Sequence, residues 1–104
     1  MARKPAAGPS SDPETLILSS LAGGPKHGYA IKLDIAVFAG SELGPGTLYS
    51  AIARLVDNGW IQPCGGRGRQ RPYRLTASGL EHLRTQLEKM QQVARLGLRR
   101  LRAT

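Results

Sequence analysis

The chain has very few of the residues that disulfide, metal and redox chemistry require. Its 104 residues include one cysteine, Cys64, and two histidines, His27 and His82. One cysteine cannot form an intramolecular disulfide, and these three side chains provide no metal-ligand spacing. The sequence also has no carboxylate pair or nucleophile elbow, and "GGPKHG" lacks the Lys-Ser/Thr ending of a phosphate-binding loop. We therefore expect no enzyme activity, no cofactor and no bound metal.

Long apolar runs are missing as well. No stretch approaches the roughly 18 apolar residues that a membrane span needs, and "MARKPAAGPSSDP" lacks the apolar centre of a signal peptide. The sequence therefore predicts a cytoplasmic chain that does not enter a membrane. Because these first residues are rich in Pro, Ala, Gly and Ser, we expect a disordered tail over residues 1–12.

Acidic residues are scarce in one part of the chain only. Residues 1–60 carry five Lys/Arg and five Asp/Glu, whereas residues 61–104 carry ten and two. The whole formal excess of +8 therefore lies in the second part, which favours a polyanionic partner. Nucleic acid and an anionic membrane both fit, as does a basic chain that is merely soluble. An RNA-binding or membrane-surface module would more often expose aromatic residues or a wide apolar face.

Two short apolar helices follow the tail. Asp12 is suited to cap the first helix, with Pro13 at its first position and Glu14 near its positive end. The run "ETLILSSLAGG" ends at the Gly-Gly-Pro of residues 23–25. A second helix is expected to begin near His27. Since apolar residues occupy most of the circumference of both helices, we expect both to be mainly core.

A third helix is indicated by "GPGTLYSAIARLVDNGWI", where Gly44 can cap the helix and Pro45 can open it. Helical spacing puts Leu48, Ile52 and Leu55 on one face. The opposite face is small and hydrogen-bonding, which suits close approach to a DNA major groove but also suits an ordinary helix start. That face consists of Gly46, Thr47, Ser50, Ala53, Arg54 and Asp57, with Tyr49 at its margin.

A basic β-hairpin is predicted from "WIQPCGGRGRQRPYRLT", with strands over 61–64 and 71–76 and a tip over 65–70. Arg67, Arg69 and Arg71 lie at or beside the tip, and no acidic residue accompanies them. Arginine in a protruding glycine-rich loop suits phosphate or a narrow minor groove, although a solvated tip fits too.

Three helices followed by a basic hairpin are the order of a winged helix-turn-helix. The segments "PKHGYAI", "GPGTLYSAIARLVDNGWI" and "RPYRLTASG" resemble the PadR family of transcriptional regulators in order and spacing, from about Leu16 to Leu83. The resemblance implies DNA binding as a dimer, usually to repress, with Thr47 and Tyr49 among the reading residues and the segment 27–29 near a phosphate. Free N–H groups at the second helix start also suit a phosphate by their own chemistry. The candidate DNA-binding residues are Lys26, His27, Gly28, Tyr29, Pro45, Gly46, Thr47, Tyr49, Ser50, Arg54, Arg67, Arg69, Arg71 and Tyr73.

The remaining stretch, "LEHLRTQLEKMQQVARLGLRRLRAT", has apolar residues spaced by alternating threes and fours, which is a heptad pattern. A helix of about 25 residues beyond a small domain would leave this seam in water, so a second chain is the favoured cover. Folding back onto the first helix is the alternative. The candidate dimer-interface residues are Leu80, Leu83, Leu87, Met90, Ala94, Gly97 and Leu101.

The sequence as a whole predicts a mostly α-helical chain with a small β-hairpin. A winged helix-turn-helix domain is expected over residues 13–78 and a dimerisation helix over 79–104. The predicted function is a homodimeric repressor that binds double-stranded DNA at an inverted repeat, and the alternative is a non-sequence-specific DNA- or RNA-binding module. Some PadR relatives bind aromatic small molecules at the dimer interface, so the resemblance admits a small-molecule inducer, although this C-terminal helix has no aromatic residue to stack on one.

Overall fold

The computed structural model describes residues 12–65 and 71–103. Its elements follow in the order α1 (Pro13–Leu21), α2 (Gly28–Ala39), α3 (Pro45–Asp57), β1 (Ile61–Pro63), β2 (Tyr73–Leu75) and α4 (Ala77–Arg102). This mostly helical order with one hairpin confirms the predicted fold class. The predicted tail, apart from Asp12, and the predicted hairpin tip, apart from Gly65, lie outside the described residues.

The first helix begins as its sequence predicts. Asp12 is the N-cap, and its Oδ1 accepts a hydrogen bond from the Thr15 N–H at 2.7 Å, while Pro13 occupies the first helical position. Six of the nine residues of α1 are buried because α2, α3 and α4 all pack against it. The short helix α1 is therefore the centre of the domain.

One hydrophobic core joins all four helices and the first strand. Within it, the side chains of Ile17, Ile31, Ile35 and Leu55 are fully buried. The other buried apolar residues are Leu16, Leu18, Leu21, Leu48, Ala51, Ile52, Ile61 and Leu83. The core therefore draws on residues from both ends of the described chain, and it fixes how α3 and the start of α4 are placed.

The strands β1 and β2 form an antiparallel hairpin in which Ile61 faces Leu75 and Pro63 faces Tyr73. Both strands are shorter than the sequence predicts. The main chain of Lys26 pairs with the other side of β2, because its N–H donates to the Tyr73 carbonyl at 3.2 Å and its carbonyl accepts from the Tyr73 N–H at 2.9 Å. The hairpin is thereby tied to the turn that precedes α2.

The expectation that α2 is mainly core is wrong. Only Gly28, Ile31 and Ile35 are buried in this helix, while Leu33, Val37 and Phe38 are exposed. The physical reason is that α2 packs one face against α1 and α3, and an apolar sequence pattern does not reveal how many faces a neighbour covers.

The last helix is 26 residues long and begins at the N-cap Thr76, whose side chain accepts a hydrogen bond from the Gly79 N–H at 3.0 Å. Leu83 is buried in the core, and every described residue after Gln86 is exposed. Most of α4 therefore extends past the domain. Among the described residues no helix is both long and apolar enough to cross a bilayer.

Candidate nucleic-acid interface

The first turn of α3 carries the exposed polar face that the sequence predicts. Leu48, Ala51, Ile52 and Leu55 are buried and hold the helix against the domain. Gly44 is the N-cap and has no side chain with which to bond the first turn. The outward residues at the start of α3, over about its first two turns, are all exposed, and they are Pro45, Gly46, Thr47, Tyr49 and Ser50.

Tyr49 connects this surface to the start of α2. A Cβ atom built on Gly28 would lie 2.6 Å from the Tyr49 hydroxyl oxygen and 2.8 Å from its Cε1 atom. The Tyr49 ring therefore lies directly against the α2 backbone, although about half of the residue remains exposed. The structure thus brings together two groups of predicted site residues, those that open α2 and those that open α3.

The start of α2 presents its own exposed groups. His27 is the N-cap without a side-chain cap hydrogen bond, and both His27 and Tyr29 are exposed. The first N–H groups of any α-helix have no partner within the helix, and the helix dipole makes this end positive. The end of α2 next to Tyr49 therefore has the chemistry of an anion site.

Lys26 points into its own chain. Its Nζ donates to the Ser20 carbonyl at 2.6 Å and to the Gly24 carbonyl at 3.3 Å, and it lies 3.9 Å from Asp34 Oδ2. Ser20 is buried and its hydroxyl donates to the same Asp34 oxygen at 2.7 Å. In this structure the lysine stabilises the turn between α1 and α2, and its predicted contact with DNA stays a prediction.

Arg54 is exposed at the last turn of α3 and forms an ion pair. Its Nε donates to Glu14 Oε2 at 2.6 Å, which joins α3 to the first turn of α1. Exposed ion pairs of this kind contribute about 0–1 kcal/mol, so a phosphate could displace the carboxylate at little cost.

The hairpin of β1 and β2 is the wing of the predicted fold, and its two strands are described. Arg67 and Arg69 lie outside the described residues. Arg71 is exposed, and Tyr73 is half-buried and packs against the core. Arg74 also points outward, because Tyr73 and Leu75 on either side of it are half-buried. The sequence prediction did not include Arg74, although the alternation of a β-strand is a signal that identifies it.

The seam of α4 is exposed except at one position. Leu83 is buried in its own chain, as the fold-back alternative expects, while Leu80, Leu87 and Met90 remain 38–45% exposed. Ala94, Gly97 and Leu101 are also exposed. The prediction missed three further exposed apolar residues of α4, which are Val93, Leu96 and Leu98.

These elements define a winged helix-turn-helix: α2 and α3 follow each other around one core, and an antiparallel hairpin comes directly after α3. A family model described as "Transcriptional regulator PadR-like family" matches residues 17–85. The chain therefore belongs to the PadR-like family of transcriptional regulators.

The chain is also similar to a transposon protein and to solved structures of transcriptional regulators. The chain is 44% identical over 81 residues to an "Uncharacterized 37.1 kDa protein in transposon TN4556" of Streptomyces fradiae, and the match covers 78% of this chain and 24% of that protein. The chain thus spans about a quarter of the length of this curated relative. A transcriptional regulator from Clostridium thermocellum, Cth-833, shares 32% identity and a TM-score of 0.71, covering 80% of this chain and 86% of that one. A PadR family transcription regulator from Clostridium difficile R20291 has the same fold at 24% identity and a TM-score of 0.73, covering 81% and 92% of the two chains.

Proposed function

We propose that this protein is a sequence-specific, double-stranded DNA-binding repressor that recognises an inverted repeat as a homodimer. The single observation that carries the proposal concerns the start of α3. Small and hydroxyl-bearing residues are exposed there, while the opposite face of the helix is buried in the core. Such a surface is available to another molecule without any rearrangement of the domain.

The dimensions of α3 suit the major groove. A helix with its side chains is about 10–12 Å across, and the major groove of B-DNA is about 12 Å wide. Gly46, Thr47 and Ser50 add little bulk to the outer face, so the helix axis can approach the base edges. The Thr47 hydroxyl can donate or accept a hydrogen bond, and its methyl group can contact a thymine methyl.

Phosphates flanking the groove have partners at two places outside α3. The amino-terminal end of α2 supplies N–H groups and a positive dipole end, beside which His27 is exposed. At the second place, Arg71 and Arg74 are exposed at the base of the wing. Arg67 and Arg69 carry the same charge into the loop, where we propose that they contact the flanking backbone or minor groove.

The exposed seam of α4 supports pairing with a second copy of this chain. Leu87 and Met90 line an apolar groove formed by α4 residues alone, so no other described element covers it. Pairing two such helices about a two-fold axis would bury both seams and set two α3 helices about 34 Å apart, one turn of DNA. An inverted repeat has the matching symmetry.

Selection of binding sites from random duplex DNA tests the proposal. We expect an inverted repeat to be enriched. Thr47→Ala should weaken binding to the selected site by about 1–3 kcal/mol and binding to random DNA far less, since a base contact contributes only on the preferred sequence. The control is Thr85→Ala, an equivalent change at an exposed position of α4.

Two results would contradict this assignment. Equally weakened binding to both DNAs would make Thr47 a backbone contact. Salt-dependent binding to every duplex, with no enrichment, would support the alternative of a non-sequence-specific nucleic-acid-binding module.

A further inference from the structure

The residues just after α3 are in direct contact with the start of α4. Gly59 follows α3 with a φ of +76°, which a glycine adopts without strain. The chain then turns at Trp60, whose N–H donates to the Leu55 carbonyl at 3.0 Å. The first turn of α4 packs on these two residues. We name this contact region, formed by Gly59, Trp60, Thr76, Gly79 and His82, the α3–α4 joint.

Hydrogen bonds fix the position of α4 at the joint. Thr76 Oγ1 donates to the Gly59 carbonyl at 2.6 Å, and the Thr76 N–H donates to the Trp60 carbonyl at 3.0 Å. Ser78 Oγ donates to the same Gly59 carbonyl at 3.1 Å. Because these bonds attach the first residues of α4 and its N-cap to Gly59 and Trp60, the start of α4 cannot slide along the domain.

Close packing adds to these bonds. Gly79 is buried, and a Cβ atom there would overlap the Trp60 carbonyl oxygen and lie 2.8 Å from the carbonyl carbon. The two backbones are therefore in direct contact, and glycine is the residue that permits this approach.

An aromatic stack fixes the direction of α4. The Trp60 and His82 rings lie parallel within 10°, with ring centroids 3.6 Å apart. His82 is one turn beyond the capping bonds, so the stack, together with the buried Leu83 beside it, forms a second point of attachment on α4. Two points of attachment restrict the tilt of a helix, whereas one point permits it to pivot.

The direction of α4 has a large effect at its far end. The part from Arg84 to Arg102 is about 28 Å long at 1.5 Å per residue. A tilt of about 10° at the joint would move that end by about 5 Å, which exceeds the rise of about 3.4 Å between base pairs.

We propose that Trp60 and His82 are positioning residues that set the spacing between the two half-sites that the protein accepts. The inference rests on the proposed homodimer, in which α4 pairs with the α4 of the second copy. Each joint then fixes the orientation of α3 relative to the paired helices. Half-site sequence is read by α3, and half-site spacing is determined by the joint. The two properties are therefore separable by mutation.

Selection from libraries with a variable spacer between fixed half-sites tests the inference. For the unmodified protein, a spacer one base pair longer or shorter should weaken binding by on the order of tenfold. For His82→Ala, the same change of spacer should weaken binding only about twofold. The half-site sequence should not change. His82→Phe, which keeps a ring against Trp60, should restore the parental profile, and Thr85→Ala should leave it unaltered. A parental spacer profile in His82→Ala would overturn the inference.

A measurement without DNA separates this inference from the proposed function. A spin label on Ala53→Cys, in a Cys64→Ser background, reports the distance between the two α3 helices of a dimer. We expect one narrow distance distribution that broadens in His82→Ala and narrows again in His82→Phe. A distribution that broadens in His82→Ala, together with no enrichment of any DNA sequence, would refute the proposed function but support the role of the joint in positioning α4. An unchanged distribution in His82→Ala would refute that role.

Discussion

The Tyr49 hydroxyl occupies the space that a Cβ atom on Gly28 would need, since the two would lie only 2.6 Å apart. Gly28 is the first residue of α2 and Tyr49 is the fifth residue of α3. The contact therefore aligns the end of α2 that suits a phosphate with the turn of α3 that suits base edges. Glycine is required at position 28 for this close approach.

Gly28→Ala should displace the Tyr49 ring. Because the ring is about half exposed and can turn toward solvent, we expect the free energy of unfolding to change by no more than about 1 kcal/mol. Affinity for the selected DNA should fall about as far as in Tyr49→Ala. The double variant should bind little more weakly than either single variant, because both changes remove the same contact. Thermal unfolding and DNA titration measure the two effects.

The control for this pair is Gly23→Ala. A Cβ atom at Gly23 would meet only ordinary contacts, with the nearest atom 3.5 Å away. Gly23→Ala should therefore bind DNA as the parent does. Fully additive effects of Gly28→Ala and Tyr49→Ala on affinity would show that the contact does not align the two helices.

Leu87→Asp should prevent dimer formation without unfolding the chain. Leu87 is 41% exposed in the single chain, so a carboxylate there remains hydrated, but it would be buried and unpaired between two α4 helices. We expect association to weaken by at least about 3 kcal/mol, more than a hundredfold in the dimer Kd. Sedimentation at micromolar concentration measures it. A variant that remains dimeric with parental DNA affinity would contradict the proposed interface.

Leu83→Asp is the contrasting change on the same helix. Leu83 is 5% exposed and belongs to the core, so its carboxylate would be buried in the domain itself. We expect a clearly larger fall in melting temperature than in Leu87→Asp, which loses only the contribution of dimer formation. Equal melting temperatures in the two variants would mean that the structure assigns these leucines to the wrong environments.

Gly79→Ala should destabilise the chain although it lies inside a helix. Alanine favours a helix over glycine by up to about 1 kcal/mol, but its methyl group would overlap the Trp60 carbonyl, and overpacking of this kind costs about 1–3 kcal/mol or more. A backbone atom cannot rotate away, so we expect the clash to exceed the helix preference. Thermal unfolding decides the sign.

Gly97→Ala provides the comparison, because a Cβ atom there would meet no atom within 4 Å in its own chain. It should raise the stability of α4 slightly. Both alanine variants are best made in the Leu87→Asp background, where dimer formation does not contribute. A stabilised Gly79→Ala protein would show that the α3–α4 joint is not closely packed.

Replacement of Arg67 and Arg69 by alanine should reduce the salt dependence of DNA binding. Each phosphate that the protein no longer neutralises removes about 0.9 from the slope of log K against log salt concentration. We expect the slope to flatten by about one to two units while the preferred sequence stays the same. Titrations at several salt concentrations measure this, and an unchanged slope would remove the wing from the proposed DNA contacts.

Local chemistry was predictable from the sequence. The Asp12 cap, the start of α3 at Pro45 and the buried and exposed faces of α3 depend on residues a few positions apart, and all three are found in the structure. The heptad spacing of α4 likewise identified its apolar stripe without the structure. Such features follow from the geometry of a single helix, which the sequence alone specifies.

Only the tertiary structure decided which of these surfaces are covered and which residues meet. It buried Leu83 but left the outer face of α2 exposed, turned Lys26 toward Ser20, and stacked Trp60 on His82. The physical reason is that these outcomes depend on contacts between segments that are distant in sequence or on different elements. A periodic pattern identifies an apolar face, but the packing of the whole chain determines whether that face meets a neighbour or water.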